Sequence, residues 1–170
     1  ANKIAAKFSE KTLTTFLPTA KKVKNGEYVG APVREELFAV TKSEGLKKYG
    51  FTGEKPVLLI TGGSLGAAAL NKLVLSSLDG LLKTFDVLLI CGKNNLSGIK
   101  KEGFKETEFT DIRFAYAAAS VCVSRAGSNT AFELLCLKIP TMFIPLPKNA
   151  SRGDQIENAE YFKSLGVAAV

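Results

Sequence analysis

From Pro56 onward the chain alternates continuous apolar runs with stretches of helical period. Val57-Leu58-Leu59-Ile60, Phe85 to Cys91, Val121-Cys122-Val123 and Thr141 to Ile144 are predicted as strands, with a short one at Glu106 to Thr110. Between them, helices are predicted over Ala67 to Leu82, from Asp111 as cap to about Ala118, over Thr130 to Leu137, and from Asp154 to Leu165. A last apolar run covers Val167 to Val170. Unbroken apolar strands alternating with helices imply a parallel sheet covered on both faces. The fold class expected is therefore a doubly wound, Rossmann-like α/β domain.

The first part of the chain lacks this regularity. Ala1 to Glu10 has helical spacing at Ile4, Ala5 and Phe8, and Thr12 to Leu17 alternates like a strand that Pro18 ends. Lys21 to Glu27 is a basic connector, Tyr28 to Pro32 is extended, and Pro32 is placed to open a helix over Val33 to Val40. The expected organisation is the end of one domain plus linker over 1–29 and a ligand-binding domain over 30–170.

Ligands of parallel α/β sheets sit at the carboxyl ends of the strands. Three polar loops fall there: Gly62 to Gly66, Ser124 to Thr130, and Pro147 to Gln155. Gly62-Gly63-Ser64-Leu65-Gly66 matches neither GxGxxG nor a Walker A motif. Its glycines still permit close backbone approach to an anion, and Ser64 brings a hydroxyl donor. Ser124-Arg125-Ala126-Gly127-Ser128-Asn129-Thr130 joins a buried strand to a helix start, where N–H groups and the positive dipole end favour an anion. Glu133, a turn further on, is an acceptor-only carboxylate suited to a sugar diol. Arg34 and Arg125 are candidate counter-ions for a diphosphate. Asp154, Gln155 and Asn158 cluster at one helix start and offer the donors and acceptors that sugar hydroxyls need. Each loop equally suits an ordinary capped turn, and Arg125 equally suits a structural pairing with a neighbouring carboxylate.

Composition narrows the chemistry. The 170 residues are 46% hydrophobic and 23% charged, with a net charge of +7. The basic residues are scattered in pairs without interleaved aromatics, so no nucleic-acid platform is indicated. There is no histidine, which removes Ser-His-Asp and Cys-His catalysis. No clustered Asp/Glu/His set suggests a metal, and no cofactor is implied. Cys91, Cys122 and Cys136 all lie in apolar runs, which predicts buried thiols and a reducing compartment.

Taken in order, Gly30-Ala31-Pro32-Val33-Arg34, Thr61-Gly62-Gly63-Ser64-Leu65-Gly66-Ala67, Ser124-Arg125-Ala126-Gly127 with Glu133, and Asp154-Gln155 with Asn158 resemble the MurG family across nearly the whole chain. These bacterial transferases move N-acetylglucosamine from UDP-N-acetylglucosamine (UDP-GlcNAc) onto lipid I, making lipid II for peptidoglycan. The resemblance implies a GT-B fold, of which this chain corresponds to the donor-binding half. Gly63 and Ser64 would hold the diphosphate with Arg34 nearby. The backbone of Phe109 would face the uracil, Ser128, Asn129 and Thr130 would line the α-phosphate turn, and Glu133 would hold the ribose hydroxyls. Asp154 and Gln155 would contact the N-acetylglucosamine, with Asn158 supporting their turn. The sequence departs from the family pattern at Leu65 and Asp154, where glutamine is common.

The resemblance further implies an acceptor-side domain carrying a histidine-bearing loop, and a peripheral position on the inner face of the bacterial cell membrane, where lipid I would be met. This chain would then be either an excised fragment or part of a longer protein, and alone it would not turn over, with its catalytic residues elsewhere. Two alternatives stay open: a relative using another UDP-sugar or lipid acceptor, and a non-catalytic nucleotide-sugar-binding domain.

Overall fold

The computed structural model describes residues 2–62, 68–148 and 153–170. Gly63, Ser64, Leu65, Gly66 and Ala67 of the expected phosphate cradle, and Ser151 and Arg152, lie outside the described residues.

The chain divides into two compact units, Ala1–Val33 and Arg34–Val170. The first holds α1 (Asn2–Phe8), β1 (Thr12–Thr14), α2 (Leu17–Lys22) and β2 (Gly26–Tyr28). β1 and β2 pair in parallel, Leu13 opposite Glu27, with α2 as the crossover. The expected strand to Leu17 and basic connector from Lys21 are therefore corrected. Pro18 stands in the first turn of α2, where its missing N–H has no intrahelical partner to lose. Gly26 is needed there, because a Cβ would stand 2.3 Å from the carbonyl oxygen of Ala20.

The second unit opens with a 3-10 turn at Glu35–Phe38 rather than the expected helix over 33–40. A new helix, α3 (Lys42–Tyr49), starts directly behind it. Thr41 and Glu44 form a reciprocal capping box, and Gly50 ends α3 at φ 69°. Then follow β3 (Val57–Thr61), α4 (Ala68–Ser76), α5 (Leu78–Leu81), β4 (Asp86–Ile90), β5 (Phe104–Thr107), α6 (Ile112–Ala118), β6 (Val121–Ser124), α7 (Ser128–Cys136), β7 (Thr141–Phe143) and α8 (Asp154–Ser164). The single helix expected over 67–82 is broken at Ser77. Ser76 turns its hydroxyl back onto the Leu73 carbonyl at 2.8 Å, a bond that competes with the helix ladder. β5 begins earlier than Glu106 because Phe104, opposite Val87 of β4, is the residue the core takes.

All five strands of this sheet are parallel, in the order β5-β4-β3-β6-β7. The central β3 and β4 are buried at every position, as strands covered on both faces must be. Leu58, Ile60, Val87 and Leu89 pack with Leu70, Val74 and Leu78 of α4 and α5. Beyond β7, Ala169 bridges to Met142 in parallel. On the other flank α3 packs on α6. Cys91 and Cys122 are buried as expected; Cys136 is exposed, because it ends α7 on its outer face. Among the described residues no helix is long and apolar enough to cross a membrane.

Candidate functional site

The strand order reverses its direction of growth at β3: β4 and β5 are added on one side, β6 and β7 on the other. Connections at such a reversal depart to opposite faces and leave a crevice at the carboxyl ends. Thr61 and Ser124 are register partners at that end of β3 and β6, and the Arg125 N–H reaches the Thr61 carbonyl at 3.4 Å. The expected loops after β3 and β6 therefore start side by side. Of the first, Gly62 is described; Gly63 and Ser64 are not.

The second loop delivers a helix start. α7 begins at Ser128, two residues before the expected Thr130, with Gly127 as its cap and no side-chain bond to it. The first N–H to reach back into the helix is that of Ala131, 2.9 Å from the Gly127 carbonyl. Ser128, Asn129 and Thr130 thus form the first turn, whose N–H groups lie ahead of the intrahelical ladder at the positive dipole end. A helix start of this kind, at the sheet's switch point, has the chemistry to hold an anion.

The turn is braced from behind. Asn158 of α8 donates its amide N–H to the Ala126 carbonyl at 2.9 Å. Arg125 donates from Nη1 to the carbonyls of Ile144 (2.8 Å) and Pro145 (3.2 Å), and burial lowers its pKa. Arg125 thus takes the structural role, with backbone carbonyls rather than a carboxylate as its partners: the guanidinium ties the loop after β7 to the loop after β6. Asn158 supports the β6–α7 turn rather than the turn of its own helix.

Glu133, one turn into α7, is held at both oxygens. Arg34 Nη2 lies 3.0 Å from Oε1, and Tyr116 Oη lies 3.1 Å from Oε2. The side chain of Glu133 is 14% exposed and that of Arg34 52%. Tyr116, on α6, is 4% exposed. Its hydroxyl is the donor, since a carboxylate only accepts. Burial first, and Glu133 second, push the Tyr116 phenol far above its ordinary range, so it remains protonated. The structure therefore pairs Arg34 directly with Glu133, which the sequence singled out separately, and adds on the other oxygen of Glu133 a third residue it did not single out. A tyrosine among the small and apolar residues of Ile112-Arg113-Phe114-Ala115-Tyr116-Ala117-Ala118 was the available signal, because a buried phenol requires a polar partner.

The remaining candidates are spread along the same edge. Phe109 follows β5 with its ring exposed, and its carbonyl accepts the Thr107 hydroxyl at 2.7 Å; a carbonyl retains a second lone pair for a ligand. Asp154 opens α8 and is exposed behind Gly153, whose φ is 86°. Gln155 Oε1 accepts the Leu146 N–H at 3.1 Å and so ties α8 to the loop after β7. Asp111 caps α6 as expected, accepting from Arg113 N at 3.1 Å.

Residues 57–170 match the glycosyltransferase family 28 C-terminal domain. The whole chain is 45% identical to half of a Bacillus cereus protein named UDP-N-acetylglucosamine--N-acetylmuramyl-(pentapeptide) pyrophosphoryl-undecaprenol N-acetylglucosamine transferase 2. It is 46% identical to 49% of the Geobacillus thermodenitrificans protein of that name, without the numeral. The crystal structure of Acinetobacter baumannii MurG superposes with a TM-score of 0.70 at 23% identity, over 99% of this chain and 48% of that one. The chain spans about half the length of the curated relatives it matches. With its parallel sheet, its strand-order reversal at β3 and this match over most of its length, the chain belongs to the glycosyltransferase family 28 C-terminal domain family.

Proposed function

We propose that this chain is the donor-binding part of an inverting glycosyltransferase that moves N-acetylglucosamine from UDP-GlcNAc onto lipid I, giving lipid II. The observation that carries the reading is Glu133, an acceptor carboxylate set one turn behind the uncapped start of α7 at the switch point. That arrangement suits a nucleoside diphosphate: anion at the helix start, ribose diol at the carboxylate. The names of the Bacillus and Geobacillus relatives support the choice of sugar and acceptor.

In this reading the N–H groups of Ser128, Asn129 and Thr130 face the α-phosphate, with Gly63, Ser64 and Arg34 on the diphosphate. Glu133 accepts from the ribose hydroxyls, the Phe109 backbone meets the uracil, and Asp154 and Gln155 meet the N-acetylglucosamine. The acceptor hydroxyl forms a bond to the anomeric carbon as that carbon's bond to the diphosphate breaks, and UDP leaves with the electron pair. The chain's own contribution is to stabilise negative charge developing on the leaving diphosphate with groups already oriented toward it. The first unit, Ala1–Val33, is read as the end of an acceptor-side domain. That domain would supply the catalytic residues and the contact with the inner face of the cell membrane.

The test is Glu133→Ala in the complete protein, with both Michaelis constants measured. Loss of a charge-assisted bond to the ribose raises KM for UDP-GlcNAc about tenfold or more and leaves KM for the lipid acceptor within about twofold. If the donor KM stays at the wild-type value, the ribose assignment is wrong.

A further inference from the structure

The two groups on Glu133 differ in how firmly they are placed. Tyr116 is almost wholly buried, and its ring is fixed by the packing of α6 against β3 and α3. Arg34 is half exposed and divides its guanidinium between Glu133 at 3.0 Å and Glu36 at 3.4 Å. One oxygen of the carboxylate is therefore anchored to the core and the other is covered by a movable cation. The last torsion of a glutamate side chain is broad and nearly unrestricted. A single fixed donor on Oε2 is what selects one plane for the group. Without it the carboxylate would be free to turn face-on to Arg34, whose planar fork matches both oxygens at once.

We propose that Tyr116 is a positioning residue for ribose selectivity: its hydroxyl holds Glu133 in the plane that offers Oε1 to the diol of a nucleoside diphosphate once Arg34 leaves that oxygen. The inference rests on Glu133 being the ribose partner. Tyr116 touches neither phosphate nor sugar. Its effect is confined to how well the site tells a ribose from a 2′-deoxyribose.

The experiment measures, by calorimetry on the complete protein, the dissociation constants of UDP and 2′-deoxy-UDP for wild type, Glu133→Ala and Tyr116→Phe. Wild type prefers UDP about tenfold or more, the worth of one hydrogen bond to a charged group. Glu133→Ala abolishes the preference. Tyr116→Phe reduces it to about threefold or less, while KM for the lipid acceptor is unchanged. If Glu133→Ala keeps the preference, the ribose reading itself fails and this inference fails with it. If Glu133→Ala abolishes it but Tyr116→Phe keeps it, only the role of Tyr116 is overturned. Should Tyr116→Phe not fold, a crystal structure of the wild-type complex with UDP decides. Tyr116 Oη still bonded to Oε2, with Arg34 off Oε1, supports the inference; Tyr116 detached from Oε2 overturns it.

Discussion

Arg34 Nη2 and Glu133 Oε1 stand 3.0 Å apart although 99 residues separate them in the chain. Each is read as gripping a different part of one donor, Arg34 the diphosphate and Glu133 the ribose, and without a donor they neutralise each other. A half-exposed ion pair of this kind contributes at most about 1 kcal/mol. A guanidinium on a diphosphate contributes about 1.5–3 kcal/mol.

The balance of those magnitudes sets the first expectation. Arg34→Ala weakens UDP binding about tenfold, since the lost phosphate contact exceeds the relief of freeing Glu133. Uridine, which lacks phosphate, binds Arg34→Ala as well as or better than wild type. Titration of both ligands checks this, and parallel losses for the two would show that Arg34 acts only by holding Glu133.

Gly45 is the contact point of α3 on α6. A Cβ there would stand 2.6 Å from the Ala118 nitrogen and 2.8 Å from the Phe114 carbonyl oxygen, both backbone atoms that cannot rotate away. Gly45→Ala therefore costs about 1–3 kcal/mol by overpacking, despite alanine's better helix propensity. Chemical denaturation measures it. An unchanged midpoint would mean that α3 and α6 do not approach this closely.

Asp111 predicts an acid-sensitive component. Its hydrogen bonds from the Arg113 side chain, more than any other cause, hold its carboxyl down to about 2. A depressed carboxyl stabilises the fold above its ordinary value near 4, and that contribution disappears as pH falls from about 4 to about 2. Asp86 works in the opposite sense, since burial raises its pKa, so the comparison must be a difference. Asp111→Ala loses about 1 kcal/mol at pH 7 through the missing cap. The gap between its melting temperature and that of wild type closes between pH 4 and pH 2. A gap independent of pH would remove the cap from the account.

Asn158 holds the β6–α7 turn, the proposed anion site, through the Ala126 carbonyl. Asn158→Ala lowers stability by about 1 kcal/mol and raises the donor KM severalfold. Asn158→Asp is worse on both counts, because a carboxylate cannot donate to that carbonyl and sets negative charge behind the proposed phosphate site. Thermal melts and donor kinetics on the two variants check the order, and equal effects would count against it.

Much of the architecture is legible in the residue pattern. Val57–Thr61 and Asp86–Ile90 must be covered on both faces, and almost every position there is apolar. Asp111 is visible as a cap because the residues after it keep helical period. Other elements left weaker traces. α3 is announced by Thr41 and Glu44 as a capping box and by Gly50 as a stop, but its charged composition hides it from a search for apolar stripes. The strand read from alternation at Thr12 stops at Thr14, and its partner β2 spans three residues, too few for alternation to register. The break at Ser77 comes where the Ser76 hydroxyl bonds back to the Leu73 carbonyl, which no periodicity reports.

Alternating apolar runs and helices are enough to specify a parallel sheet with polar loops at its carboxyl edge, because burial on both faces constrains nearly every residue of a central strand. They say nothing about strand order, and it is the order β5-β4-β3-β6-β7 that brings the ends of β3 and β6 together. The grouping of Arg34, Tyr116 and Glu133 lies further still from the one-dimensional pattern. Three polar side chains from separate elements meet only because α6 and α7 are packed on the sheet, and a contact made by packing leaves no spacing in the chain to be read.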